Sequence, residues 1–236
     1  LLRGVLGQPH PPALSLVSRR EQRLLSMLHF SLWGAGSSLD QMPDGFRRLW
    51  DNPGRLQELN EVAELLHRRI HRVTRPVDAE ASVPLQIHAR YSRDEALAAF
   101  GVGNPASVRQ GVKWVEEERA DVFFVTLRKT ERHYSPTTMY QDRAISPSLF
   151  QWESQSTTST ASPTGQRYLR HRALGTTVHL FIRESKEPDG DLGAPPYLYA
   201  GPATYVRHSN DRPIQILWRL DTDLPADIFH AARVAI

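Results

Sequence analysis

The stretch FIRESK (181–186) places Glu184 two residues before Lys186, directly after the apolar run TTVHLFI. A carboxylate and a lysine at that spacing can flank a magnesium-bound water, as in metal-dependent nucleases. Such a site needs a second carboxylate on a neighbouring strand to share the metal, and Asp121, at the start of DVFFVTL, could supply it. Glu-x-Lys is also the ordinary pattern of a solvated strand end. Glu184, Lys186 and Asp121 are therefore nuclease candidates, with no catalytic residue assigned.

A second constellation lies in HYSPTTMYQDRAISPSLFQWESQ (133–155). Connecting loops are small and polar, yet this segment carries Tyr134, Tyr140, Phe150 and Trp152 beside Asp142 and Arg143. Flat aromatic faces stack on bases. A carboxylate such as Asp142 can accept from a base amino group, and Arg143 can hold the next phosphate. The alternative is structural: aromatics in a core and Asp142 paired with Arg143. Phe150 is expected in the core, since Leu149-Phe150 opens a strand. Around the segment cluster Arg128, Arg132, Arg143, Arg167, Arg170 and Arg172. Lysine stands only at positions 113, 129 and 186. Arginine is the better fork for phosphate, although an arginine-rich surface is equally the mark of a GC-rich genome.

Other chemistries are excluded by their motifs. The chain has no G-x-x-x-x-G-K-[ST], so it is not by itself a P-loop ATPase. It has no H-E-x-x-H and no G-x-S-x-G. It has no cysteine, hence no disulfide, thiolate metal site or cysteine nucleophile. No cofactor and no metal site is expected.

Two kinds of element must position these residues. Before about residue 75 the apolar spacing is helical. Ser18-Arg-Arg-Glu21 is a capping box, a short helix is expected over Leu39 to Trp50, and Asn52-Pro53 opens a longer helix. On that helix Leu56, Leu59, Ala63, Leu66, Ile70 and Val73 form one seam, the pattern of a helical bundle. A helix-turn-helix reader would need a tight turn before a polar recognition helix, which is missing. Pro76 to Ser82 reads as a linker. After it come a strand near Val83 to His88 and a helix capped by Ser92-x-x-Glu95. GVKWV, DVFFVTL, TTVHLFI, PYLYAGPATYV and PIQILWRL are strands. In the last, Ile214, Ile216, Trp218 and Leu220 alternate with Gln215 and Arg219, so one face is buried. SQSTTSTASPTG (154–165) reads as a mobile low-complexity loop. The expected fold is α+β: a helical part at 15–75 packed on an antiparallel barrel-like sheet at 83–236.

The 236 residues are 40% hydrophobic and 23% charged with net charge +3, enough to build a packed core. No run approaches the roughly 20 apolar residues of a membrane span. A cytoplasmic location and no membrane partner are expected, and the start without Met reads as the cut end of a longer protein.

FFVTLRKTERHYSPTTMYQDRAISPSLFQWESQSTTSTASPTGQRYLRH resembles the uncharacterised C-terminal domain of bacterial DEAD/DEAH-box (superfamily 2) helicases. The resemblance continues through GTTVHLFIRESK, APPYLYAGPATYVRHS and RPIQILWRL, over about residues 20–235. Such proteins often also carry a phospholipase-D-like nuclease domain. The resemblance implies a DNA-processing context in restriction or phage defence, with an ATP-dependent helicase as the parent protein. It assigns no catalytic residue. The expected function is a DNA-binding or modified-DNA-sensing accessory module. Its partners would be DNA, plain, modified or single-stranded, and the parent's helicase and nuclease domains. The alternatives are a cryptic metal-dependent nuclease and a protein–protein docking module.

Overall fold

The computed structural model describes residues 5–68, the backbone of 75–76, and residues 82–128, 142–187 and 193–233. The chain forms two compact units, Leu1–Leu85 with Tyr91–Arg109, and Gln86–Arg90 with Gln110–Ile236.

The first unit contains helices α1 (Arg19–Trp33), α2 (Met42–Trp50), α3 (Pro53–Arg68) and α4 (Arg93–Ala99), with the two-residue strand β1 (Arg75–Pro76). Both expected capping boxes form. Ser18 Oγ accepts from the Glu21 N–H at 3.2 Å while the Ser18 N–H donates to Glu21 Oε2 at 2.9 Å. Ser92 and Glu95 do the same at the start of α4. Each box satisfies two amide donors that a helix start leaves open. Leu25, Leu28, Met42 and Phe46 make the small core. Gly45 lets the Trp33 ring lie against α2, since a Cβ there would sit 3.3 Å from the indole. The apolar seam expected on α3 is only partly covered: Leu56, Leu59 and Ala63 are half-buried, Leu66 is 61% exposed, and no described residue of α3 is buried. Its continuation at Ile70 and Val73 lies outside the described residues, as does most of the expected linker.

The second unit is built on a sheet. Its strands are β2 (Gln86–Ile87), β3 (Arg90–Tyr91), β4 (Val112–Val115), β5 (Ala120–Arg128), β6 (Arg143–Ser146), β7 (Leu149–Glu153), β8 (Thr177–Ser185), β9 (Tyr197–Ser209) and β10 (Gln215–Leu220). Among the described residues eight strands form the main sheet, in the order β4-β5-β8-β9-β10-β7-β6 with β3 against β9 off that path. The α+β class is as expected, but the sheet is mixed and open rather than an antiparallel barrel. β5 and β8 run parallel, Ala120 opposite Thr177 through Arg128 opposite Ser185. A parallel pair needs a long crossover, and residues 129–176 between them carry β6, β7 and helix α5 (Pro163–Leu169). β4 and β6 remain as the two ends of the path.

The alternation read in PIQILWRL holds: Ile216, Trp218 and Leu220 are buried while Arg219 is exposed. With Phe150 and Trp152 of β7 they join a core that includes Phe123, Tyr168 of α5 and Ala232 of α6 (Ala226–Arg233). The Ser/Thr run is packed rather than free. Ser154, Thr158 and Ser159 are buried. The Ile214 N–H donates to Ser154 Oγ at 2.9 Å, and the Thr160 N–H and hydroxyl both donate to Asp211 Oδ1 at 2.7 Å. Ser162 caps α5 by accepting from the Gly165 N–H. A Cβ at Gly165 would overlap the Ser159 carbonyl oxygen, so the turn requires glycine there. Composition suggested mobility, but short hydroxyl side chains also satisfy backbone donors in a tight turn.

Candidate nucleic-acid interface

The strand alternation that fills the core leaves a second face on β6, β7, β10 and β9. On it Arg143 lies opposite Gln151, Gln151 opposite Leu217, and Leu217 opposite Arg207. These four residues form one row across four strands. At about 4.8 Å between neighbouring strands, the two arginine Cα atoms stand about 14 Å apart. A half-open groove of about 360 Å³ runs along the row, lined by these residues with Ile145, His208, Ser209 and Gln215. No carboxylate and no Phe, Tyr or Trp lines it among the described residues. Gln215 is held at both ends: its Nε2 donates to Glu153 Oε1 at 2.9 Å, and Ser209 Oγ donates to its Oε1 at 3.2 Å.

Arg207 reaches this face because of a bulge. Tyr205 pairs with Trp218 and packs on the core, whereas Arg207 pairs with Leu217, so Val206 is the extra residue. In a regular strand, residues two apart share a face; the bulge sends Arg207 to the other side. His171 anchors the spot. The Tyr205 N–H donates to its Nε2 at 3.0 Å, and its Nδ1 lies 3.2 Å from the Thr176 carbonyl. These contacts define the neutral tautomer with the proton on Nδ1. Burial lowers the His171 pKa, which keeps Nε2 an acceptor.

The other sequence candidates fall in separate places. Asp121, 1% exposed, receives Arg167 Nε on Oδ2 at 2.7 Å and Nη2 on Oδ1 at 2.9 Å. The Arg167 guanidinium also lies 4.3 Å over the Trp114 ring. Burial raises the Asp121 pKa, and the Arg167 hydrogen bonds act against it. Glu184 instead pairs with Arg128 at 2.9 Å, both side chains at least half exposed, and Lys186 is exposed just beyond β8. Asp121 is in register with Val178. Glu184 is six residues further along β8, so at about 3.3 Å per residue the two carboxylates begin about 20 Å apart. That separation is too long for one shared metal. No cluster of three or more His, Cys, Asp or Glu fit to hold a metal occurs among the described residues.

Trp152 is 5% exposed and stacked on Phe123 with centroids 4.2 Å apart, inside the core. Asp142 is buried and accepts from the Glu153 N–H at 2.9 Å, which ties β6 to β7. Arg170 is exposed at the end of α5, and Arg172 reaches Thr204 Oγ1 at 3.5 Å. Tyr134, Tyr140 and Arg132 lie outside the described residues. Of the sequence candidates among the described residues, only Arg143 lines the groove. Arg207, His208, Ser209 and Gln215 were not singled out. Gln215 was legible from its alternation with Ile214 and Ile216, but nothing local marks Arg207.

No helix among the described residues is long and apolar enough to cross a membrane. A search of curated proteins finds no match to the chain. Residues 85–232 match the family described as Domain of unknown function (DUF3427). That span includes every groove residue and more than half of the sequence, and the chain belongs to this family.

Proposed function

We propose that the chain is a DNA-binding accessory module, working beside the helicase and nuclease domains of a bacterial restriction or phage-defence protein. The observation that carries the reading is the groove bounded by Arg143 and Arg207, with His208 beside them and no carboxylate among its described lining residues. A concave surface whose described lining holds two arginines attracts a polyanion, and arginine is suited to phosphate oxygens. The helicase setting rests on the sequence resemblance, with which the family match is compatible. Modified bases are the finer form of the proposal: a defence protein must tell foreign DNA from its own.

The test is a titration of the purified chain with fluorescent DNA, plain and base-modified, at low salt. Binding that falls as salt rises is expected, because each phosphate contact releases counterions. The absence of binding to every DNA near 50 mM salt would refute the reading. Equal affinity for plain and modified DNA would remove modification sensing alone.

A further inference from the structure

The described lining of the groove contains a pair of outward arginines but no stacking ring, and this combination distinguishes between forms of DNA. We propose, resting on the DNA-binding reading above, that the groove grips duplex DNA by its backbones. Arg143 and Arg207 would take phosphates from opposite strands, and the groove would not thread a single strand.

Three observations lead there. First, no Phe, Tyr or Trp is among the described lining residues, and Trp152, one of the rings offered for stacking, lies under Phe123 in the core. Stacking on aromatic rings is a main source of affinity in sequence-tolerant single-strand binders. A groove without it depends on phosphate charge, which a duplex carries at higher density. The counterion gain per contact is accordingly larger, about 0.9 against about 0.7 in log–log slope.

Second, the row has a fixed length. Arg143, Gln151, Leu217 and Arg207 are consecutive cross-strand neighbours, and their roughly 14 Å span is set by the strand ladder. It is comparable to the roughly 12 Å major groove that separates the two backbones of B-DNA. The ladder thus fixes the spacing of the two arginine backbones, from which each fork can reach toward one phosphate.

Third, the Gln215 amide beside the row is already committed within the protein. Gln215, the amide nearest Arg207's end of the row, is clamped by Glu153 and Ser209. It can therefore shape the floor without offering both amide atoms to an adenine. Neither arginine pairs with a carboxylate among the described residues.

The experiment is fluorescence anisotropy of the chain with one sequence presented as duplex and as each single strand, across a salt series. It is repeated for Arg207→Ala, Arg207→Glu and Arg143→Ala, with Arg47→Ala as a charge-matched control. Arg47 sits in the first unit, paired with Asp44. Circular dichroism confirms that each variant folds, and exposed Arg207 carries the result if Arg143→Ala does not. The expected result is a duplex preference of about tenfold or more at equal salt. Each groove alanine should reduce the salt slope by about 0.9, Arg207→Glu should reduce affinity further, and Arg47→Ala should leave the slope unchanged. Single strands binding as tightly as duplex, or an unchanged slope in folded Arg207→Ala, would overturn the duplex clamp while leaving the DNA reading standing. Failure to bind any DNA would remove both.

Discussion

Arg167 and Asp121 are 46 residues apart and meet in a two-bonded ion pair, 2.7 and 2.9 Å, with the carboxylate 1% exposed. The pair joins α5 to the start of β5, and the guanidinium's stacking on Trp114 extends it to β4. Removing one member of a buried pair strands the other. Asp121→Ala should cost about 3 kcal/mol, the low end of the usual range because Arg167 is partly exposed. Asp121→Leu with Arg167→Met should recover most of the loss. Urea unfolding measures both; a loss below about 1 kcal/mol in the single variant would show that the pair contributes little.

Trp152 contributes through packing. It stacks on Phe123 and meets Tyr168 edge-on. Trp152→Ala should cost about 3–5 kcal/mol. Because its ring is covered, Trp152→Phe should fold and keep wild-type affinity for DNA. An affinity loss in folded Trp152→Phe at unchanged stability would place this residue in contact with the ligand.

His171 is a positioning residue for Arg207. His171→Ala removes the acceptor of the Tyr205 N–H, and an unpaired buried amide costs about 1–3 kcal/mol. The bulge should relax and Arg207 should lose its aim. Thermal unfolding should move down, and the salt slope of DNA binding should fall toward that of Arg207→Ala. His171→Gln, with an acceptor at similar reach, should restore part of both. A variant that loses stability but keeps the full slope would separate His171 from the groove.

His179 sets an acid limit. It is buried between β5 and β9, with Nδ1 2.7 Å from the Tyr199 hydroxyl and Nε2 3.1 Å from Thr177 Oγ1. Burial lowers its pKa from 6.5 to about 4, and Glu118 acts weakly the other way. The unfolded chain therefore takes up a proton that the folded chain refuses. The stability contribution is fully present above about pH 6.5 and is lost as pH falls toward about 4. The total is on the order of 3 kcal/mol. Urea midpoints measured from pH 7.5 to 4 should fall through that window, and His179→Gln should flatten the fall if it folds. An unchanged profile in the folded variant would assign the acid sensitivity to other groups.

The sequence by itself determined what neighbours decide. Ser18-Arg-Arg-Glu21 and Ser92-x-x-Glu95 cap their helices because the bonds span only three residues. Ile216, Trp218 and Leu220 face the core because a strand alternates. What tertiary structure decided involves partners far along the chain. Alternation alone would place Arg207 on the same face as Tyr205; pairing with β10 inserts Val206 as a bulge and turns Arg207 outward. The hydroxyl run looked mobile until Asp211 and Ile214, about 50 residues or more away, were brought to it. Asp121 and Glu184, each near an end of a neighbouring strand, looked able to share a metal. The parallel register of β5 and β8 puts them about 20 Å apart instead. Strand register and direction depend on contacts between distant segments, and no local spacing encodes them.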